Sequence, residues 1–171
     1  MNDRVSLRPI GVIRTHHQSA RGTPIQPNYA RESVGEVEVD AAFAPALADL
    51  EGFDHIWLLY WFDRAGPYEA QVVPYRDRNL HGLFATRAPS RPNPIGLSVV
   101  RLCSRKGNVL HVKGIDVLDK TPLLDIKPYV PDFDSRSGSR AGWLDARHED
   151  RRVADERFHT PNPQNDGDEA L

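Results

Sequence analysis

Short apolar runs, each closed by a turn signal, follow one another along most of this chain. That succession restricts the fold more than any other feature. Val5 to Arg14 reads as a first strand, marked by Leu7, Ile10 and Val12, with Pro9 pointing to an edge or a break. Val34 to Val39 alternates polar and apolar from Gly35 on, the pattern of a half-buried strand. Ile56 to Phe62 is the most apolar run. It is short for a helix and rich in aromatics, so it predicts a buried strand. Ala70 to Arg76, Leu97 to Cys103, Val109 to Ile115 and Leu123 to Val130 extend the series. Gly107-Asn108 marks one hairpin turn and Asp119-Lys120-Thr121-Pro122 a second turn. Ala41 to Leu50 interrupts with helix-forming composition, Pro45 starting the helix and Gly52 ending it. These signals predict a mainly all-β chain: a closed antiparallel β barrel with a few short peripheral helices. One domain is expected over 1–158, with 159–171 as a polar, disordered tail.

Between two apolar runs, Leu83 to Ala85 and Leu97 to Leu102, lies a loop that carries Arg87, Arg91 and Asn93 among Pro89, Pro92 and Pro94. Each proline fixes its own φ and biases the residue before it towards extended backbone, so the loop is stiff for its length. Two guanidinium groups on a stiff loop can hold a carboxylate or phosphate through paired hydrogen bonds. A second stiff segment, Thr23-Pro24-Ile25-Gln26-Pro27, carries an amide that could read a polar edge. Asp63-Arg64 sits where the Ile56 strand surfaces. In the last strand, alternation places Asp125, Lys127 and Tyr129 on one face, with Leu124, Ile126 and Val130 on the other. An acid, a base and a phenol in a row can tune one another for proton transfer, or they can be a solvated face.

The chain holds 22 Lys and Arg against 24 Asp and Glu, a net charge of −2, so it has no global attraction for nucleic acid. RNA contact would need a local cluster such as Arg136, Arg140, Arg147, Arg151 and Arg152. No apolar run is long enough to span a bilayer, and Met1-Asn2-Asp3-Arg4 opens no signal-peptide core, so a cytoplasmic location and no membrane partner are expected. The single cysteine, Cys103, excludes an intrachain disulfide and reads as a small buried hydrophobe. The histidines have no zinc spacing, and no metal is expected. Neither a dinucleotide-binding Gly-x-Gly-x-x-Gly, nor a P-loop, nor a Gly-x-Ser-x-Gly elbow occurs.

Four collinear segments carry a family resemblance. They are Pro9-Ile10-Gly11-Val12-Ile13-Arg14, Leu50-Glu51-Gly52-Phe53-Asp54-His55-Ile56-Trp57-Leu58, Phe84-Ala85-Thr86-Arg87 through Arg91-Pro92-Asn93-Pro94-Ile95-Gly96-Leu97-Ser98, and Asp125-Ile126-Lys127-Pro128-Tyr129. Together they resemble the TsaA-like, or TrmO-type, family over roughly residues 7–158. The resemblance implies a β-barrel methyltransferase without a Rossmann fold. It implies S-adenosyl-L-methionine as cofactor, a homodimer with the cofactor near the subunit interface, and methylation of the N6 nitrogen of threonylcarbamoyladenosine beside the anticodon in tRNA. Carried over by position, the cofactor residues are Pro24, Ile25 and Gln26, Asp63 and Arg64, Arg87, Leu97, and Asp119, Lys120, Thr121 and Pro122. The bacterial tRNA enzymes of the family have Pro-Arg-Gln at the first of these and His-Gln at the second, and the longer members continue into a further domain. Arg91 and Asn93 would orient the substrate or the cofactor's polar end. Asp125, Lys127 and Tyr129 would form a polar floor, with Asp125 as proton acceptor or its orienter. Two other readings stay open: a methyltransferase acting on a small molecule, and a non-catalytic barrel that binds the cofactor.

Overall fold

In a computed structural model, residues 5–146 and 149–159 are described. Six antiparallel strands close into a barrel: β1 (Gly11–Thr15), β2 (Val34–Val39), β3 (His55–Trp61), β6 (Ile95–Lys106), β7 (Val109–Lys113) and β8 (Thr121–Pro128), ordered β1-β2-β7-β6-β3-β8 around the wall. A separate two-stranded ribbon pairs β4 (Gln71–Val72) with β5 (His81–Gly82). The helices are short 3-10 turns and one α-helical turn, Pro131–Asp134. The closed antiparallel barrel is therefore the predicted one. Among the described residues no helix is long and apolar enough to cross a membrane, and no cluster of His, Cys, Asp and Glu has the makings of a metal site. The expected tail lies, apart from His159, outside the described residues.

Strand alternation makes the core. Ile13, Val37, Ile56, Leu58, Val100, Leu110, Val112 and Leu123 point into the barrel and are almost wholly buried. Each such side chain contributes about 1.5–3 kcal/mol by leaving water. Closure pairs both edges of every wall strand with a neighbour, so the barrel leaves no free edge to recruit another chain. The hairpin from β6 to β7 turns at Gly107, whose φ of +62° is a left-handed conformation that suits glycine.

The structure corrects several sequence expectations. The first strand begins at Gly11, not Val5, because residues 5–9 are exposed and Pro9 has no N–H to give a neighbour. The expected strand from Ala70 to Arg76 shrinks to two residues before Pro74 removes a donor. Ala41–Leu47 is a 3-10 helix that contains Pro45 rather than starting at it. Leu83–Ala85 is also a 3-10 turn, closed by Thr86 Oγ1 donating to the Leu83 carbonyl at 2.8 Å. Cys103 is exposed, because it falls in the outward phase of β6 with Leu97, Val99 and Arg101, while Gly96, Ser98, Val100 and Leu102 point inward. A second register shift, at Leu59/Tyr60 opposite β8, makes Leu123 rather than Leu124 the fully buried residue there.

One end of the barrel is framed by loops that the segment 149–159 ties together. Pro24 bridges to Val153 and Ala65 to His159. Ser90 Oγ donates to the Phe158 carbonyl at 2.8 Å, and the Gly66 N–H donates to the same carbonyl at 3.0 Å. Phe158 then packs with Val72, Leu83, Ala88 and Tyr75 in a small core of its own.

Candidate active site

The loops and strap enclose a cavity of about 1200 Å³ over this end of the barrel. Its floor is the barrel mouth, at Tyr60, Gly96, Asp116 and Thr121, and its sides are loop residues 23–29, 62–65, 84–91 and 116–118. It extends onto the outer face of β3 and β6 at Trp57, Leu97 and Val99. Six arginines and one lysine line it against three acids, Glu32, Asp63 and Asp116, in a chain whose net charge is −2.

Most of the expected cofactor residues meet here. Pro24, Ile25, Gln26, Asp63, Arg64, Arg87, Leu97 and Thr121 all line the cavity. Arg87 Nη1 donates to Gln26 Oε1 at 2.8 Å, which joins the two proline-stiffened loops. Arg64 Nη2 donates to the Asp119 carbonyl at 2.8 Å and to Thr121 Oγ1 at 2.9 Å, so the Asp63-Arg64 corner and the Asp119–Pro122 turn form one unit. Lys120 occupies the left-handed region of that turn, with φ of +63°. Asp119, Lys120 and Pro122 lie behind the wall rather than in it. Asp119 Oδ1 accepts the Thr15 N–H at 3.1 Å. Desolvation raises the Asp119 pKa, but the Thr15 N–H and neighbouring donors outweigh it and hold the carboxyl below its ordinary value.

Arg91 does not form a paired anion clamp with Arg87. Its Nη1 is turned onto its own loop, donating to the carbonyls of Thr86 at 3.0 Å and Ala88 at 3.3 Å, and its guanidinium lies over the exposed Phe84 ring. Arg91 thus stiffens the loop that presents Arg87. Asn93 is exposed and its carbonyl accepts the Ile95 N–H at 2.8 Å; it is not part of the cavity wall. Asp125 and Lys127 do share a face, as alternation predicts, but it is the outer one. They form a half-exposed ion pair at 2.9 Å, and Tyr129 leans on Trp57 with ring centroids 5.9 Å apart. None of the three lines the cavity, so they make no floor to it.

Of the expected basic cluster, Arg151 and Arg152 are held in ion pairs, and Arg136 Nη1 donates to the Ser135 carbonyl at 2.8 Å. Arg151 pairs with Asp155 at 2.7 Å and Arg152 with Asp150 at 3.0 Å, while Arg147 lies outside the described residues.

Sequence reading missed Tyr60, Ser98, Asp116 and His159. Ser98 Oγ donates to Asp116 Oδ1 at 2.6 Å and lies 3.0 Å from the Tyr60 hydroxyl. Burial pushes the Asp116 carboxyl up to about 7, against the Ser98 donation and the nearby Arg87 charge. Burial, and then the Asp116 charge, drive the Tyr60 phenol well above its ordinary value. Asp116 was legible only as a polar interruption between Ile115 and Val117, and Ser98 as a polar residue at an inward strand position. His159 Nδ1 is buried in the cavity wall with no hydrogen-bond partner among the described residues, and burial and Arg64 lower its pKa.

This lining fits S-adenosyl-L-methionine. Arg64 and Arg87 offer donors for a carboxylate. Ile25, Phe62 and Leu118 offer apolar wall for an aromatic base.

Comparison with known proteins agrees. The sequence model of the tRNA-methyltransferase O N-terminal domain matches residues 12–135. A "Probable S-adenosyl-L-methionine-binding protein" of Pyrococcus abyssi is 52% identical over 141 residues, covering 82% of this chain and 77% of its own. The tRNA (adenine(37)-N6)-methyltransferase of Escherichia coli K12 is 36% identical over 144 residues, covering 78% of this chain and 61% of its own. The crystal structure of TrmO from Pseudomonas aeruginosa superposes with a TM-score of 0.69 at 41% identity, covering 81% of this chain and 62% of that one. The chain thus spans only about three fifths of the latter two proteins. With the barrel, the lining and the match over residues 12–135 in agreement, the chain belongs to the tRNA-methyltransferase O family.

Proposed function

We propose that this barrel methylates the N6 nitrogen of threonylcarbamoyladenosine beside the anticodon in tRNA, using S-adenosyl-L-methionine. Family membership makes the chain an S-adenosyl-L-methionine-dependent methyltransferase, and relatives named for adenine-37 N6 methylation support the tRNA substrate. When bound, S-adenosyl-L-methionine supplies an electrophilic methyl group on a sulfonium. The protein's part is to aim the nucleophile, keep water out and receive a proton. Arg64, Arg87 and Gln26 are placed to hold the cofactor, and Arg91 keeps the Arg87 loop rigid.

One observation carries the RNA reading: a cationic cavity in an acidic chain. Its excess of arginine is paired with exposed or half-buried rings at the rim. Arg91 lies over Phe84 and Arg76 over Tyr29, while Trp143 stacks on His81 at 4.5 Å. Guanidinium and ring faces of this kind suit phosphates and unstacked bases. A small-molecule acceptor would call for a narrow, closed pocket, and this cavity is wide and open on one side. The open side runs onto the outer β3–β6 face, where Ile95 and Leu97 are 40% and 45% exposed. A second copy of the chain against that face would form the homodimer expected for the family and close the site.

The test is incubation with labelled S-adenosyl-L-methionine at low salt and three acceptors: tRNA carrying threonylcarbamoyladenosine, tRNA lacking that modification, and a small-molecule extract. Label in the first alone is the expected result, with a slope of log affinity against log salt of roughly −0.7 per phosphate contact. Label confined to the extract would establish the small-molecule reading. Cofactor binding without transfer would establish the non-catalytic one. Sedimentation at micromolar concentration should show a dimer, and a monomer alone would remove the shared site.

A further inference from the structure

Tyr60, Ser98 and Asp116 form a single hydrogen-bonded line at the mouth of the barrel. The Ser98 hydroxyl has one proton, and at 2.6 Å from Asp116 Oδ1 that proton is given to the carboxylate. The Tyr60 hydroxyl, 3.0 Å away, is then the donor to Ser98. The line therefore orients and sustains an ionised Asp116. Its geometry is fixed from behind. Ser98 is 1% exposed, and Tyr60 lies flat over Gly96, where an added Cβ would come within 2.0 Å of the ring. Inward positions around it, Leu58, Val100 and Leu123, are apolar. A carboxylate in such a setting weakens a barrel unless it serves another end. Asp116 and Tyr60 are in the cavity wall; Asp125, the acid that strand alternation singles out, is not.

We propose that Asp116 is the proton acceptor for N-methylation and that Ser98 and Tyr60 are the residues that position it. This rests on the methyl-transfer reading above. As the nitrogen forms its bond to the methyl carbon, that carbon's bond to sulfur breaks and the sulfur leaves as a neutral thioether. The proton on the acceptor nitrogen passes to an Asp116 carboxylate oxygen and later to solvent. The groups facing this carboxyl are Ser98 from β6, Tyr60 from β3 and Arg87 from the loop before β6. Burial brings its pKa to about 7, where a base is half in its working form at neutral pH.

Asp116→Asn should lose roughly 100-fold or more of the single-turnover methylation rate. Its calorimetric affinity for S-adenosyl-L-methionine should stay within about threefold of the parent's. In the parent, the rate should rise with pH and level off above about 7, because the acceptor must be unprotonated. Ser98→Ala removes a donor to the carboxylate and should move that rise to higher pH while the plateau rate stays within about tenfold. Difference infrared spectroscopy without any ligand should show a carboxyl band titrating near pH 7 in the parent, absent from Asp116→Asn. Asp116→Asn retaining full rate would overturn the assignment, and so would an unmoved rise in Ser98→Ala, which decides the matter if Asp116→Asn does not fold. A parent that methylates no acceptor would overturn the methyl-transfer reading itself and the assignment with it.

Discussion

Inside the barrel, Ile13, Ile56, Leu58, Leu110 and Leu123 are fully buried on strands hydrogen-bonded to both neighbours. At its open end, Val72, Leu83, Ala88 and Phe158 make a far smaller core from loops and from a strap whose Phe158 carbonyl answers Ser90, 68 residues earlier. The barrel is held by many repeated contacts, so its stability is spread out. The loop lobe is held by a few singular ones, such as Arg87 to Gln26, Arg64 to Thr121 and Ser90 to Phe158. The arginines placed to hold the cofactor, Arg64 and Arg87, are in the second region, while the barrel supplies the floor at Tyr60, Gly96 and Thr121. Regions with few buried apolar contacts open more readily than the global fold, and a ligand can stabilise what it closes.

Leu58→Ala should cost the most, about 2–5 kcal/mol in urea unfolding, by emptying a fully buried barrel position. Phe158→Ala should instead leave barrel amides protected and speed hydrogen exchange at 20–29 and 83–91. Uniform loss of protection would mean that the two regions unfold as one. Next comes the pH dependence of the barrel mouth. Folded Asp116 keeps its proton up to about 7, whereas the unfolded chain releases it near 3.8, so the folded state binds more protons between those values. Stability from this group therefore falls as pH rises through that window, and Asp116→Asn should be the more stable protein at pH 8 by on the order of 1–4 kcal/mol. An unchanged pH slope would place the carboxyl in solvent. Arg87→Ala and Arg64→Ala each remove charge-assisted bonds within the lobe and should weaken S-adenosyl-L-methionine by roughly 1.5–3 kcal/mol in calorimetry. The melting transition of the barrel should barely move. Smallest of all, Asp125→Asn breaks a half-exposed pair with Lys127 and should change stability by less than about 1 kcal/mol. A loss of methylation as large as that of Asp116→Asn would return the proton acceptor to β8.

The same division governs what the sequence discloses. Period-two alternation is local, so β2, β3, β6, β7 and β8 could be read directly, as could the Gly107 hairpin. Where the register shifts, at Leu59/Tyr60, alternation misplaced Leu124, and Cys103 was misplaced because its apolar run masks its outward phase in β6. Motif resemblance located Gln26, Arg64, Arg87 and Thr121 in one cavity, because the family's spacing survives in this chain. It could not reveal that Arg91 is consumed by its own loop's carbonyls, which depends on the 3-10 turn at Leu83–Ala85. Nor could it foresee that Asp125 faces away from the mouth while Asp116 faces it. Ser98 and Asp116 come 18 residues apart on opposite arms of the β6–β7 hairpin, and the register that pairs Arg101 with Lys113 carries them to the same level.

The strap has a consequence for synthesis. The last barrel strand ends at Pro128, but the loops around the mouth are not fastened until Phe158 and His159 exist. At translation speeds of about 5–20 residues per second, those 31 residues take roughly 2–6 s to make. The chain therefore leaves the ribosome strands first and strap last, so the barrel can satisfy its strand edges before its ligand site is finished. Protection from sticking to neighbours comes with the barrel, and the capacity to hold a cofactor only with the strap.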